Sequence, residues 1–168
     1  ERVASLSGAV KHAAREGRGL RPAVGDFVLF EPMREDQAVI RQVLPRKSAF
    51  TRKPPGRRTD VQVVAANVDT VLLVMGLDRD FSPRRLERYL TMAFESGATP
   101  VVVLNKRDLH TPEDLAAMEA LAIDSAPHTE LLSVSALTGE GIEGLARWLT
   151  EGQTVALLGS SGVGKSTL

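Results

Sequence analysis

An α/β chain, built on a parallel sheet with flanking helices and preceded by a small all-β domain, is what the sequence predicts. Three observations carry this. From residue 69 onward, continuous apolar runs alternate with helix-period patterns. One run leads directly into a glycine-rich loop, "GSSGVGKST". Residues 1–60 instead hold short Val-, Ile- and Phe-rich runs broken by Gly and Pro.

In the first region, "AVGDFVLFEP" and "QAVIRQVL" are expected to be strands of a barrel or sandwich. "PRKSAFTRKPPGRRTD" has no apolar periodicity, and Pro54, Pro55 and Gly56 mark it as a loop. The expected boundaries are a domain over 1–60, a linker over 61–68 and a second domain over 69–168. There, "TVLLVMGL" reads as a strand buried on both faces. Ser82 and Pro83 open a helix whose inner face is Leu86, Leu90, Ala93 and Phe94. "PVVVLNKRD" is a second strand running into a polar loop. Thr111, Pro112 and Asp114 start a helix with Leu115, Met118 and Leu121 facing inward. "LLSVSA" is a third strand, followed by a helix using Ile142, Leu145 and Leu149, and "TVALLG" is a fourth. In such sheets ligands sit beyond the carboxyl ends of the strands. The stretches to inspect are therefore "GLDRD", "NKRD", "SALTG" and "GSSGVGKST".

The bulk numbers exclude several classes. Apolar residues make up 43% and charged residues 25% of 168, so a core can be buried. Lys plus Arg and Asp plus Glu are equal at 21 each, so no global charge points to nucleic acid or membrane. With no cysteine, disulfides, thiolate zinc sites and cysteine nucleophiles are ruled out within this chain. No apolar run approaches the roughly 20 residues that span a bilayer. The start "ERVASLSGAV" has neither an initiator Met nor a secretory-signal layout.

Gly159, four residues, then Gly164, Lys165 and Ser166 satisfies G-x-x-x-x-G-K-S. A polyphosphate packs several negative charges into a small volume. Backbone N–H groups of Gly159, Ser160, Ser161, Gly162, Val163, Gly164 and Thr167 can ring it only where side chains stay clear. Lys165 adds a mobile point charge, and the Ser166 hydroxyl is a hard oxygen ligand for Mg²⁺. A helix starting at Gly164–Lys165 would aim its positive end at the same phosphates.

Asn105-Lys106-Arg107-Asp108 is weak alone, because Asn and Asp favour turns anyway. Its place after a buried strand, with "SALTG" after the next, strengthens it. An Asp108 carboxylate would accept from guanine N1–H and the 2-amino group. Backbone N–H groups at Ser135–Ala136, beside Leu137, would donate to O6. Adenine would leave these groups unpaired, at a cost of about 1–3 kcal/mol each. Asn105 would tie the loops together, and the Lys106 stem would cover one base face.

These motifs, with "QVVAANVDTVLLV", "RRLERYL", "VVVLNKRDL", "SVSALTGEG" and "TVALLGSSGVGKSTL", resemble the small-ribosomal-subunit-dependent GTPases of bacteria, the RsgA type. The likeness covers nearly the whole chain. It implies a P-loop NTPase-like fold in circularly permuted order, with the phosphate loop last, behind an OB-fold-like domain lacking its first strand. It implies GTP and GDP with Mg²⁺ as ligands, GTP hydrolysis, late maturation of the small subunit, contact with its rRNA, a cytoplasmic location and a monomer without membrane attachment. The family's switch segments and zinc-binding Cys/His domain follow the phosphate loop and are not in these 168 residues. The expectation is thus a truncated GTPase domain that hydrolyses GTP negligibly by itself, its catalytic residues lying beyond Leu168. Two other readings stay open on the residues: a P-loop ATPase or small-molecule kinase, and a non-hydrolysing RNA-binding module regulated by nucleotide.

Arg46, Lys47, Arg52, Lys53, Arg57 and Arg58 fall close together with only Asp60 opposing, and Phe50 sits among them. A charge run is commonly a solvated loop. With the resemblance, the set becomes a candidate RNA contact, the cations on phosphates and Phe50 on an unpaired base. His12, His110 and His128 are isolated and unassigned, Trp148 is expected to pack, and Asp78 and Asp80 are read as a turn leading into a helix, with a metal or ribose role as the alternative.

Overall fold

The computed structural model describes residues 2–17, 19–33, 36–52, 62–78 and 81–168, which fall into two units, Glu1–Asn67 and Val68–Leu168. In the first unit, β1 (Val3–Leu6) pairs in parallel with β3 (Gln37–Val43), and β3 pairs antiparallel with β2 (Val28–Pro32) through a bulge at Leu29/Phe30. Between β1 and β2 lies α1 (Gly8–Arg15), capped by Ser7, whose hydroxyl accepts from the Val10 N–H at 3.3 Å. This helix lies in a stretch for which the sequence suggests no element.

β4 (Ala49–Arg52) and β5 (Gln62–Ala66) form a separate antiparallel ribbon. The described strands of this unit thus form two sheets, not one closed barrel. Residues 62–66, assigned above to a linker, are a strand: Val63 and Ala65 are partly covered while Gln62 and Val64 are exposed, the alternation of a half-buried strand.

A buried network ties this unit together. Gly25 takes φ +89°, and a Cβ there would lie 2.1 Å from the Ala66 carbonyl oxygen, so only glycine fits. Beside it, Asp26 accepts a two-pronged bond from the Arg46 guanidinium at 2.7 Å on each oxygen, plus the Ala23 N–H at 2.7 Å. Arg46 also donates to the Arg21 carbonyl at 2.7 Å. The Arg46 partnership, a charge-assisted bond, holds the Asp26 carboxyl below its ordinary range.

In the second unit β6 (Thr70–Gly76), β7 (Thr99–Asn105), β8 (Glu130–Val134) and β9 (Val155–Leu158) form a parallel sheet in the order β8-β7-β6-β9. Every residue of β6 is buried, as its unbroken apolar run requires. One face carries Leu72, Val74, Val101, Val103 and Val134, packed with Leu145 and partly with Ile142 and Trp148. The helix expected there is a 3-10 helix, Ile142–Trp148, and Leu149 is exposed beyond it.

α2 (Pro83–Ser96) contacts β6 and β7, and α3 (Pro112–Ser125) packs against α2. Two inward assignments change. Phe94 is exposed and α2 buries Leu86, Leu90 and Ala93. Leu121 is exposed and α3 buries Ala122, in register with Leu115 and Met118. One helical step separates each pair, and the smaller side chain takes the crowded position.

Candidate functional site

Parallel strands bring their carboxyl ends to one rim. Gly76 is in register with Asn105, and Asn105 with Val134. β9 enters the sheet beside β6 and releases the chain at Gly159. Four loops separated by up to about 80 residues of sequence are therefore neighbours.

Asn105, only 2% exposed, joins two of them. Its Nδ2 donates to the Val163 carbonyl at 2.8 Å, and its Oδ1 accepts from the Ala136 N–H at 2.9 Å. A single amide thus bonds the phosphate loop on one side and the "SALTG" loop on the other. Gly164 lies against it with φ +94°: a Cβ there would sit 2.3 Å from the Asn105 Nδ2.

Lys106 adopts the left-handed conformation, φ 71°, and turns the chain into the 3-10 turn Arg107–Leu109 that carries Asp108. The Asp108 Oδ1 accepts from the buried Ser135 hydroxyl at 2.5 Å. That hydroxyl also accepts from the Thr138 N–H at 3.1 Å, so the carboxylate is tied to a closed loop. Arg107 turns away, to the Ser133 carbonyl at 3.3 Å and Glu140 at 3.0 Å.

The N–H groups expected to face O6 have partners within the chain. The Ser135 N–H donates to the Glu140 carbonyl at 2.9 Å, and that of Ala136 to Asn105. Leu137, next along and 82% exposed, has no acceptor for its N–H among the described residues.

In the phosphate loop, the Lys165 ammonium folds onto the Gly159 and Ser160 carbonyls at 2.9 and 2.6 Å. Gly159 passes so close to β6 that a Cβ would lie 2.4 Å from the Val74 carbonyl oxygen. Where a helix was expected, residues 165–167 form a turn, in which the Thr167 and Leu168 N–H groups both donate to Gly164 O. Val163 is buried in the sheet face, while Ser161, Gly162, Ser166 and Thr167 are exposed on the outside of the loop. An exposed serine hydroxyl beside a lysine ammonium suits an oxygen-seeking cation and its phosphate.

The structure adds residues that the sequence analysis passed over. Arg85 donates to the Ser160 hydroxyl at 2.8 Å, with the Tyr89 hydroxyl 3.4 Å from it. Both come from "RRLERYL" at i and i+4, a spacing that puts them on one helix face. Asp78, read as a turn residue, is paired with Lys106. His110 Nε2 bonds the Leu77 carbonyl and His12 pairs with Glu16 at 3.0 Å, while His128 is an exposed left-handed turn residue.

The RNA-contact candidates divide. Arg46 is corrected from a surface contact to an internal one: its side chain is 10% exposed and its guanidinium is engaged by Asp26. Lys47 and Arg52 are exposed, and Phe50 is half-buried on β4 opposite Ala65. Lys53, Arg57 and Arg58, like Asp60 and Asp80, lie outside the described residues. Among the described residues no cluster of three His, Asp or Glu side chains is placed to hold a metal ion, and no helix is long and apolar enough to cross a membrane.

Residues 43–168 match the family described as RsgA GTPase. The chain is 49% identical, over its whole length, to the small ribosomal subunit biogenesis GTPase RsgA of Opitutus terrae. It is 44% identical, again over its whole length, to RsgA 2 of Lactiplantibacillus plantarum. It covers 47% of each, so it spans about half the length of these curated relatives. Among solved structures, YjeQ from Thermotoga maritima superposes with a TM-score of 0.77 at 32% identity, covering 98% of this chain and 54% of that one. YloQ, a circularly permuted GTPase, gives 0.64 at 22% identity over 88% of this chain and 49% of its own, which speaks to the fold alone.

Proposed function

This chain belongs to the RsgA GTPase family, and on that premise we propose that the intact protein binds GTP with Mg²⁺ at this rim and hydrolyses it. The small ribosomal subunit triggers the reaction, which serves that subunit's late maturation. The relatives' names supply the ribosomal part of the reading. The observation that carries the nucleotide part is the Asn105 side chain, which bonds the phosphate loop and the base loop at once.

The roles follow from the chemistry. Asp108 accepts from the two guanine donors, and its bond to Ser135 holds it in line. The Ser135, Ala136 and Leu137 loop closes over the base edge, with the Leu137 N–H directed at O6. Loop amides from Gly159 to Thr167 receive the phosphates. Lys165 exchanges its two carbonyl partners for phosphate oxygens, which carry more charge. Mg²⁺, when bound, neutralises phosphate charge, and the Ser166 hydroxyl is the group here that would hold it. The group that positions the water belongs outside these residues. So does zinc, for which a chain without cysteine offers no thiolate.

In the first unit, Lys47, Phe50 and Arg52, with Lys53, Arg57 and Arg58, meet rRNA through its phosphates, without base specificity. The protein works in the cytoplasm as a monomer.

Asp108→Asn tests the base reading. The amide presents a donor where guanine also presents one, while its oxygen can still accept from Ser135. GTP affinity should fall on the order of a hundredfold and xanthosine triphosphate should become the better ligand in competition titrations. Unchanged preference, or a wild type that takes ATP as well as GTP, rejects this reading.

A further inference from the structure

Resting on the guanine-nucleotide reading, we propose that Asp78 is a positioning residue for base recognition, holding Lys106 so that the lysine stem lies across the purine face.

The Lys106 Nζ donates to the Asp78 Oδ2 at 2.5 Å, and the two side chains are 29% and 32% exposed. Unlike a solvated surface pair, this one is anchored at both backbones. Lys106 sits at φ 71° between a buried Asn and a 3-10 turn, so its Cα–Cβ direction is set by the base loop. On the other side, the Leu77 N–H donates to the Asn105 carbonyl at 2.8 Å and the Leu77 carbonyl accepts from His110. The residue before Asp78 is thus bonded to the base loop twice. Gly76 leaves room for the carboxylate, since a Cβ there would lie 2.9 Å from the Asp78 Oδ1.

A lysine stem is flexible, and fixing both of its ends before the base arrives lowers the entropy lost on binding. The carboxylate also keeps the ammonium from swinging towards the polyphosphate, where Lys165 already serves. Asp78 therefore acts through Lys106 on the base, and its loss should weaken guanosine, GDP and GTP by the same factor.

The experiment titrates the intact protein with a fluorescent GDP and competes it with guanosine, GDP, GTP and ATP. Wild type, Asp78→Asn, Asp78→Glu, Lys106→Met and the Asp78→Asn/Lys106→Met double variant are compared. Asp78→Asn should lose roughly threefold to tenfold in affinity for every guanine ligand, and Asp78→Glu should recover part of it. In the Lys106→Met background, which keeps a stem without a charge, Asp78→Asn should change nothing further. Wild-type affinity in Asp78→Asn, a loss confined to phosphorylated ligands, or full additivity of the two substitutions overturns the proposal. A wild type without preference for guanine over adenine fails the functional reading itself, and this inference with it.

Discussion

Asn105 uses one amide to hold two loops, and nothing else among the described residues bonds both the Val163 carbonyl and the Ala136 N–H. Removing it strands a buried acceptor and a donor together. Asn105→Ala should therefore cost about 2–3 kcal/mol of stability in the second unit, seen as a lower denaturant midpoint. GDP affinity should fall further than stability alone accounts for, because the loops lose their common tie. A variant that melts normally and binds normally would show that the loops hold themselves. This residue was legible in the sequence, since a buried strand followed by Asn-Lys-x-Asp names both its place and its chemistry. Arg46 was not. A run of cations looks the same whether a member reaches solvent or an acid twenty positions earlier, and only the fold brings Asp26 to it. Asp78 accepts from the Phe81 N–H ahead of the helix, as a turn residue does, but its second role was hidden for the same reason: its partner Lys106 is distant in sequence and adjacent along the rim.

At the scale of the elements, fully buried strands announce themselves because both faces demand apolar side chains, as β6 does. Exposed edges and helix faces are decided by neighbours, which is why Phe94 and Leu121 were placed inward and lie outward. The link between β4–β5 and the loop before β2 also escaped the sequence, because it rests on polar groups that periodicity does not register. Its centre is the Asp26–Arg46 pair, 1% and 10% exposed, where screening by solvent is slight. The arginine lowers the folded-state carboxyl pKa below the ordinary 3.8. The stability this adds is therefore complete above that value and is lost as pH falls through the lower folded value. Asp26→Asn should destabilise the first unit by about 3 kcal/mol at neutral pH, because an arginine is left buried without its partner. The gap between wild type and variant should close as the solution is acidified below roughly pH 4. A constant gap across that window, measured by urea titration at several pH values, would assign the loss to packing.

For the whole molecule, circular permutation explains why a phosphate loop at the end of the chain still meets a base loop that precedes it. The order β8-β7-β6-β9 places β9 beside β6 although about 80 residues separate them. What a sheet rim assembles is indifferent to the order in which the chain visits it. This geometry separates two capacities that GTPases combine. On the function proposed here, binding draws on the base loop, the phosphate loop and the Asn105 tie, and all three lie within Val68–Leu168. Hydrolysis needs in addition a group that aligns water with the γ-phosphate and a segment that senses that phosphate. These 168 residues, tested by themselves, should bind GDP and GTP with nearly equal affinity, since the base loop serves both alike and Lys165 is the charged group of the described phosphate loop. Their turnover should stay within about twofold of buffer alone, with or without small ribosomal subunits. Single-turnover assays with γ-labelled GTP read this directly. Appreciable phosphate release by the chain would place a catalytic group among the residues described here, and the first to substitute would be Arg85, whose guanidinium already touches the phosphate loop at Ser160.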